Sequence, residues 1–379
     1  MTGKGNGEKR KIRIRRKTVT AAGHAVRLPM ALVSGRMTKE FGKLPSADEV
    51  RRFRHLSNYA DGCFVNAEAL EPPRDGGSGL PWRNILLSDV NDPQVVLPQV
   101  KLDRNSFSAV RDDFSVIWLG HAMLMIELGG VRILTDPVFG NAAPLPGLVR
   151  RHAAAPLSRK ELPPVDLILL THDHYDHLEY ATIRSLRKES TPLIAPLGVG
   201  ARLRGWGIAA ERIHELNWNE SIERNGIKIT AVTSRHFSGR TLGTRNRTLW
   251  MAYVLETPRH RMFLGCDGGY GRHFRAIGQQ YGPFDLVALE IDAWNDSWPS
   301  NHMFPEQVPL ACRDLNGKLL LPIHWGVFDL ANHPWNASIR AVVREAEKHG
   351  VPLTTPQMGQ KIIPGITPTG PWWELPLSS

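Results

Sequence analysis

The chain has 379 residues, of which 42% are hydrophobic and 22% are charged, and this is enough apolar material for a sizeable buried core. No stretch reaches the roughly 18 consecutive apolar residues of a membrane-spanning helix. The apolar run at 21–33 is broken by His24, Arg27 and Pro29, which argues against a secretion signal. We therefore expect neither a spanning helix nor secretion.

Residues 1–36 are predicted to be a basic tail, because residues 1–17 alone contain eight Lys or Arg and one Glu of a chain whose net charge is +10. This composition is typical of a solvated, disordered arm, and peripheral contact with an anionic membrane is the alternative. The rest of the chain is only weakly basic, so no nucleic-acid partner is expected. The widely separated Cys63, Cys266 and Cys312 fit a reducing compartment, and we expect a cytoplasmic protein.

Residues 37–113 are expected to form an extension that packs on the core. Ser46, with Glu49 three residues later, is a capping-box signal for the start of a helix. The segment 72–79 is rich in Pro and Gly and predicts a loop. The long apolar runs begin after this extension, and we predict one large domain over 114–379.

The first apolar runs of that domain, 115–128 and 131–137, are joined by Gly129-Gly130 and predict a β-hairpin. His121 and Asp136 lie at or near the ends of these strands. Each could line a functional site, either in direct contact with a bound group or as a hydrogen-bond partner of the residues that hold it.

A cluster of ionisable residues follows the next buried strand, which the apolar run 165–170 predicts. The turn after this strand contains five such residues: His172, Asp173, His174, Asp176 and His177. His and Asp are costly to bury unless something pairs with them, and a divalent metal is the simplest partner. The turn lets His172 and His174 converge on one ion while Asp176 and His177 face a second.

Helix and strand signals alternate after this turn. Helices are predicted at 180–188 and 198–208, with a strand at 191–196 between them, which is typical of parallel strands joined by crossover helices. Later strands are predicted at 227–233, 250–256, 261–265 and 319–323. Three of these precede a His or Asp, namely His236, Asp267 and His324. Because functional side chains gather at strand ends in α/β folds, we expect all three to join the turn at 171–177.

The order H-x-H-x-D-H at 172–177 resembles the signature of the metallo-β-lactamase superfamily. Other stretches, spread in the same order over roughly 60–350, resemble the branch that contains N-acylphosphatidylethanolamine-hydrolysing phospholipase D and its bacterial relatives. These stretches are 118–122, 134–137, 161–166, 282–286 and 323–326. The resemblance implies an α/β protein with the four-layer αββα metallo-β-lactamase fold.

The resemblance also implies a dinuclear metal centre. Its two ligand sets correspond to His172, His174 and His236 for one ion, and to Asp176, His177 and His324 for the other. Asp267 corresponds to the carboxylate that bridges both ions. Five imidazoles with two carboxylates suit two Zn²⁺ better than Mg²⁺ or Ca²⁺, with Mn²⁺ or Fe as alternatives.

The activity implied by the resemblance is hydrolysis of a phospholipid or another phosphodiester by a metal-bound hydroxide. Asp176 and Asp267 are the catalytic carboxylates in this interpretation, and His302 resembles a His near the substrate phosphate. A lactonase of the ascorbate-phosphate type, or another hydrolase of the same fold, is the alternative. The oligomeric state stays open, with a homodimer as one arrangement.

Two features concern the substrate. Where the phospholipase branch has a Pro-Ile-Gly-Ala-aromatic segment, this chain has 290–294, in which Glu290 and Asp292 could repel an anionic substrate or bind a cationic head group. Four tryptophans lie near the last site elements in sequence: Trp294, Trp298, Trp325 and Trp335. Core packing is the usual role of Trp, and a site mouth that accepts an acyl chain is the alternative.

Overall fold

The computed structural model describes residues 39–74, 93, 95–142, 149, 151–331 and 333–374. The basic tail predicted at 1–36 lies outside the described residues. The described strands, in chain order, are β1 (Tyr59–Ala60), β2 (Cys63–Phe64), β3 (Phe114–Gly120), β4 (Met123–Leu128), β5 (Val131–Thr135), β6 (Leu167–Leu169), β7 (Leu193–Pro196), β8 (Ile213–Leu216), β9 (Ser221–Arg224), β10 (Ile227–Val232), β11 (Ala252–Glu256), β12 (Arg261–Leu264), β13 (Leu286–Glu290), β14 (Leu320–Ile323) and β15 (Lys361–Ile362).

The α-helices that lie wholly within the described ranges are α1 (Ala47–Phe53), α2 (Tyr180–Ser185), α3 (Val199–Gly205), α4 (His273–Tyr281), α5 (Gln307–Asp314) and α6 (Ala337–Lys348). Short 3₁₀ turns lie at Arg104–Ser106, Arg159–Glu161, Leu186–Lys188, Ala210–Arg212 and Leu242–Thr244. The helix predicted at 180–188 is therefore α2 followed by one such turn. The helix predicted at 198–208 is present but shorter, as α3.

Thirteen of the strands form two large sheets. The first has the order β15-β3-β4-β5-β6-β7-β8 and the second the order β14-β13-β12-β11-β10-β9. Strands β5 to β8 are parallel, and α2 joins β6 to β7 while α3 joins β7 to β8. The alternation of strand and helix signals predicts this arrangement for β6 and β7. The predicted hairpin is also confirmed, because β4 and β5 pair antiparallel and both Gly129 and Gly130 have positive φ, at 56° and 78°.

The first sheet is covered on both faces, as the alternating directions of the side chains along β3 show. Val116 and Trp118 belong to the core between the two sheets, whereas Ile117 and Leu119 belong to a second cluster under α2 and α3. Side chains of a strand point alternately to opposite faces, so a strand that is buried on both faces must be apolar throughout. This explains why all seven residues of β3 are buried.

Helices cover the outer side of each sheet. Helix α3 contacts β7 and β8 of the first sheet, and α5 contacts β13 of the second while packing against α4 and α6. The layer order is therefore helices, sheet, sheet, helices. This confirms the predicted four-layer αββα metallo-β-lactamase fold.

The described part of the extension packs on this core. Helix α1 begins at Ser46 with a capping box, in which the Ser46 hydroxyl accepts from the Glu49 N–H and the Glu49 carboxylate accepts from the Ser46 N–H. The rings of Phe53, Tyr59 and Phe64 pack on one another and join the main core. Within the described ranges, no helix is both long and apolar enough to cross a membrane.

Candidate metal centre

Four strand ends converge at one edge of the two-sheet core. The turn after β6 supplies four of the predicted site residues, and one more follows each of β10, β12 and β14. The seven residues brought together are His172, His174, Asp176, His177, His236, Asp267 and His324. Residues more than 150 positions apart therefore meet at the place that the strand-end pattern predicts.

Three imidazoles form the first group of donor atoms. Nε2 of His172 lies 2.8 Å from Nδ1 of His174, and Nε2 of His236 lies 3.3 Å from the same atom. Nε2 of both His172 and His236 is 3.9 Å from Oδ2 of Asp267. We call these three imidazoles, together with Oδ2 of Asp267, the first donor group.

A carboxylate and two imidazoles form the second donor group, again with Oδ2 of Asp267. Oδ2 of Asp176 lies 3.3 Å from Nε2 of His177 and 3.3 Å from Nε2 of His324. Oδ2 of Asp267 lies 3.0 Å from each of these two nitrogens. One oxygen of Asp267 thus borders both donor groups, as a bridging ligand would.

The donor atoms fit a pair of divalent transition metals. Nε2 of His177 and Nε2 of His324 are buried without a hydrogen-bond partner among the described residues, although each points at two carboxylate oxygens. Buried polar atoms are normally paired, and a cation among these nitrogens and oxygens would satisfy all of them. A set of imidazoles and carboxylates suits zinc and its first-row neighbours.

The pKa shifts of the site residues also favour a bound cation. Burial opposes ionisation of Asp176 and Asp267, but the neighbouring imidazolium groups hold the pKa of both carboxyls well below the ordinary value. Burial also opposes protonation of His324, but Asp267 and Asp176 raise its pKa to about 10. By contrast, burial lowers the pKa of His174 to about 4. The two carboxylates therefore demand a positive charge in the second donor group.

Asp136 orients the His177 ring by contacting Nδ1, the ring nitrogen that lies away from the donor groups. Its Oδ2 lies 2.8 Å from Nδ1 of His177, and its two oxygens accept hydrogen bonds from the N–H and the hydroxyl of Thr171. A carboxylate on the far nitrogen of a ligating His fixes the orientation of the ring and raises its basicity. Asp136 is thus a hydrogen-bond partner and lies outside both donor groups.

His121 contacts the second donor group directly. Its Nε2 lies 2.9 Å from Oδ2 of Asp176, and the two residues cluster with His177 and His324. His121 has a φ of 55°, in the left-handed region that a non-glycine residue rarely adopts. The backbone turn after β3 therefore presents the ring of His121 to Asp176.

The extension also reaches the site, which the sequence did not predict. The side chain of Asn66 donates to the carbonyl of His236 at 2.7 Å and accepts from the N–H of His236 at 3.0 Å. Nδ1 of His236 lies 2.9 Å from the carbonyl of Asn301. No sequence motif marks Asn66, because its partner is 170 residues away.

His302 lies beside both donor groups. Its ring centroid is 5.3 Å from that of His236 and 5.4 Å from that of His324, and the side chain is 12% exposed. Glu290, at the end of β13, is buried and faces His302. Asp292 is also buried, and it accepts a hydrogen bond from the Ser338 hydroxyl at 2.5 Å.

Two of the four tryptophans pack in an aromatic cluster of the core, and the other two lie outside it. Trp325 is buried and stacks between Trp118 and Trp372, at centroid distances of 5.2 and 5.1 Å, and Trp335 packs on Trp372. These two therefore serve the core packing that is usual for Trp. Trp294 and Trp298 are half-buried, and Trp294 stacks on His333.

Phe237 and Arg245 border the first donor group. The ring of Phe237 lies 4.5 Å from that of His174 and 4.7 Å from that of His236. The guanidinium of Arg245 covers this ring at 4.1 Å from its centroid and belongs to an exposed residue. An apolar ring and a cation thus lie together at the edge of the site.

Comparison with known proteins places the chain in a family. A family described as the β-lactamase superfamily domain matches residues 131–325, just over half of the chain. An uncharacterized protein of Mycobacterium tuberculosis is 37% identical over 328 residues, which cover 84% of this chain and 87% of that protein. The chain is a metal-dependent hydrolase by fold and site, and it belongs to the β-lactamase superfamily.

Two further similarities bear on the branch and the fold. The N-acyl-phosphatidylethanolamine-hydrolyzing phospholipase D 1 of Caenorhabditis elegans is 29% identical over 274 residues, 69% of this chain and 77% of that protein. The structure of a metallo-hydrolase from Ignicoccus hospitalis matches with a TM-score of 0.53 and 17% identity, over 66% of this chain and 97% of that one. The resemblance inferred from the motifs is confirmed.

Proposed function

We propose that this protein is a dinuclear phosphodiesterase that acts on a glycerophospholipid of the N-acylphosphatidylethanolamine type. The observation that carries the proposal is the oxygen of Asp267, which borders two donor groups at once. Two metal ions that share a carboxylate can contact both the attacking and the leaving oxygen of a phosphodiester. The similarity to the phospholipase of Caenorhabditis elegans supports the substrate class.

The ligands of the proposed centre follow the two donor groups. One ion would be held by His172, His174 and His236, and the other by Asp176, His177 and His324, with Asp267 shared. We propose Zn²⁺ for both positions, because imidazole-rich sets with carboxylates suit it, and Mn²⁺ or Fe are the alternatives to be tested. When bound, such ions supply Lewis acidity and lower the pKa of a water nucleophile.

The side chains around the donor groups have separate tasks in this proposal. Asp136 and His121 hold the orientation of His177 and Asp176 through hydrogen bonds of 2.8 and 2.9 Å. His302 is placed to contact the substrate near its phosphate. The His302 ring lies beside both donor groups, so one substrate could contact His302 and both donor groups at the same time.

The edge of the site suits a substrate that is both anionic and apolar. Arg245 is an exposed residue whose guanidinium can attract a phosphate, and the Phe237 ring beneath it offers an apolar contact. Glu290 and Asp292 are engaged by other residues and are buried, so neither presents an exposed negative charge. Neither carboxylate is therefore exposed where it would repel an anionic substrate or bind a cationic head group, the two alternatives that the sequence leaves open.

The test combines metal analysis with a substrate panel. Purified full-length protein is loaded with zinc and given a soluble phosphodiester, a lactone, and vesicles that contain N-acylphosphatidylethanolamine, and products are identified by mass spectrometry. We expect phosphatidate and an N-acylethanolamine from the vesicles, and no products from the His174→Ala variant. Hydrolysis of the lactone without hydrolysis of either phosphodiester would contradict the proposal and favour the lactonase alternative.

The N-terminal tail requires its own comparison, because residues 1–36 lie outside the described part of the chain. Protein without residues 1–17 is compared with the full chain on anionic vesicles. A solvated arm predicts equal activity of the two. A loss that occurs only at low ionic strength would instead indicate membrane contact, since each Lys or Arg near an anionic surface contributes about 1 kcal/mol and salt screens it.

A further inference from the structure

Glu290 is a buried acid whose second oxygen lacks a hydrogen bond. The residue is 1% exposed, and its Oε1 accepts the N–H of Met303 at 2.7 Å. Its Oε2 is buried and has no hydrogen-bond partner in the described part of the chain. An unpaired carboxylate oxygen in the interior is costly, so this atom calls for a physical explanation.

The unpaired oxygen faces an unpaired ring nitrogen. Oε2 of Glu290 lies 3.5 Å from Nδ1 of His302, and that nitrogen is also buried without a partner among the described residues. The separation is longer than an ordinary N–H···O hydrogen bond, as is common for functional contacts that tighten when substrate binds. Oε2 of Glu290 and Nδ1 of His302 are therefore suited to form a hydrogen bond with each other.

This pairing determines what the rest of the His302 ring can do. Nδ1 is buried against Glu290, whereas the side chain as a whole is 12% exposed. The two nitrogens of an imidazole lie at different edges of the ring, so the pairing leaves Nε2 for another partner. The ring lies beside His236 and His324, one from each donor group.

We propose that Glu290 is the positioning residue of His302. Its carboxylate accepts the Nδ1–H of His302, which fixes the ring and the tautomer and leaves the lone pair of Nε2 to accept a hydrogen bond from an O–H or N–H group at the site. The inference rests on the proposed function for the identity of the substrate.

A second buried acid provides a matched control. Asp292 lies two residues further along and is 5% exposed. Its Oδ1 accepts from the Ser338 hydroxyl at 2.5 Å and lies 3.3 Å from Nε2 of His333. Asp292→Asn therefore removes a buried charge from the same segment without touching His302.

The kinetic test is a double-mutant cycle on the zinc-loaded full chain with bis(4-nitrophenyl) phosphate. Glu290→Gln keeps an acceptor for the Met303 N–H but presents an amide N–H₂ to His302. We expect it to lower kcat about 10- to 100-fold with little change in KM, while Asp292→Asn stays close to the unmodified protein. Adding Glu290→Gln to His302→Gln should cost nothing further, because the effect passes through the imidazole. Two fully additive losses would overturn the inference.

A spectroscopic test separates this inference from the proposed function. Protein with nitrogen-15-labelled histidine is compared by NMR, and His302→Gln identifies the His302 signals. The expected result is a proton on Nδ1 in the unmodified protein and in Asp292→Asn, and a shift of that proton to Nε2 in Glu290→Gln. Identical His302 signals in all three proteins would overturn the positioning role. Absence of phosphodiester turnover with the expected NMR shift would overturn only the proposed function.

Discussion

The carboxylate of Asp173 lies 2.6 Å from Nε of Arg202, and both side chains are fully buried. Asp173 is the residue between His172 and His174, and its other oxygen accepts the N–H of Gly239 at 2.7 Å. The guanidinium of Arg202 also donates to the carbonyl of Phe41. One ion pair therefore connects the turn after β6, helix α3 and the extension.

Removing Arg202 should strongly destabilise the fold. Arg202→Met leaves the Asp173 carboxylate buried without its main partner, and breaking a buried pair in this way typically costs about 3–5 kcal/mol. We expect a loss toward the lower end of that range, because the N–H of Gly239 still donates to the carboxylate and the charge of Arg240 still stabilises it. Urea unfolding of the purified variant measures the free energy.

The exposed pair of Arg340 and Glu374, at 2.8 Å, supplies the control for this measurement. Their side chains are 42% and 50% exposed, so Arg340→Met should cost less than about 1 kcal/mol. Equal losses in the Arg202 and Arg340 variants would contradict the structural role assigned to the buried pair.

The metal-ligand variants should separate binding from folding. His174→Ala removes a donor from the first donor group only, whereas Asp267→Ala removes the oxygen that borders both. We expect both variants to lose turnover and to keep their circular dichroism spectra, because the core does not depend on the site. Metal analysis should show a partial loss of ions for His174→Ala and a larger loss for Asp267→Ala. Near-normal activity in either variant would rule out the proposed ligand set.

The strand-end residues could be predicted from the sequence because each follows an apolar run. His236, Asp267 and His324 come just after β10, β12 and β14, and a local pattern is enough to assign them to one edge of the core. The parallel order of β6 and β7 could be predicted in the same way, since strand and helix signals alternate there. A local sequence pattern therefore predicts where a residue lies within its own strand or turn.

Contacts between distant segments could not be predicted in the same way. Asn66 holds the backbone of His236 from the extension, and no local sequence pattern indicates that Glu290 faces His302. The sequence patterns also did not predict the helices α4, α5 and α6 or the strands β8, β9 and β13. Trp325 could have lined a mouth or filled a core, and only its stacking on Trp118 and Trp372 decides between the two.

Metal affinity should rise with pH. In the ion-free protein Asp267 and Asp176 outweigh burial and raise the pKa of His324 to about 10, and they hold the pKa of His177 well above its ordinary value. Both imidazoles are therefore protonated near neutral pH, and a metal ion must displace these protons before Nε2 can bind it. Higher pH removes that competition, so affinity should increase toward the pKa of His324.

Competition with a zinc chelator across the range from about pH 6 to 9 measures this dependence, and calorimetry in two buffers of different ionisation enthalpy counts the protons released. We expect proton release at neutral pH and weaker binding as the pH falls. Binding that neither releases protons nor changes with pH would show that His177 and His324 are not the ligands.

Arg245 should affect substrate capture more than turnover. Its guanidinium lies over the Phe237 ring beside the first donor group, and the residue is exposed, so it can attract an anionic substrate without touching the reacting atoms. Exposed ion pairs contribute up to about 1 kcal/mol, which corresponds to a rise in KM of about fivefold for Arg245→Gln on a soluble phosphodiester. The difference in KM should shrink as salt is added, because screening weakens the attraction.

Arg247→Gln is the control, since Arg247 is also exposed and donates instead to the carbonyl of Gly62 at 3.1 Å. A KM that is unchanged in Arg245→Gln, or changed equally in both variants, would remove Arg245 from the proposed substrate path.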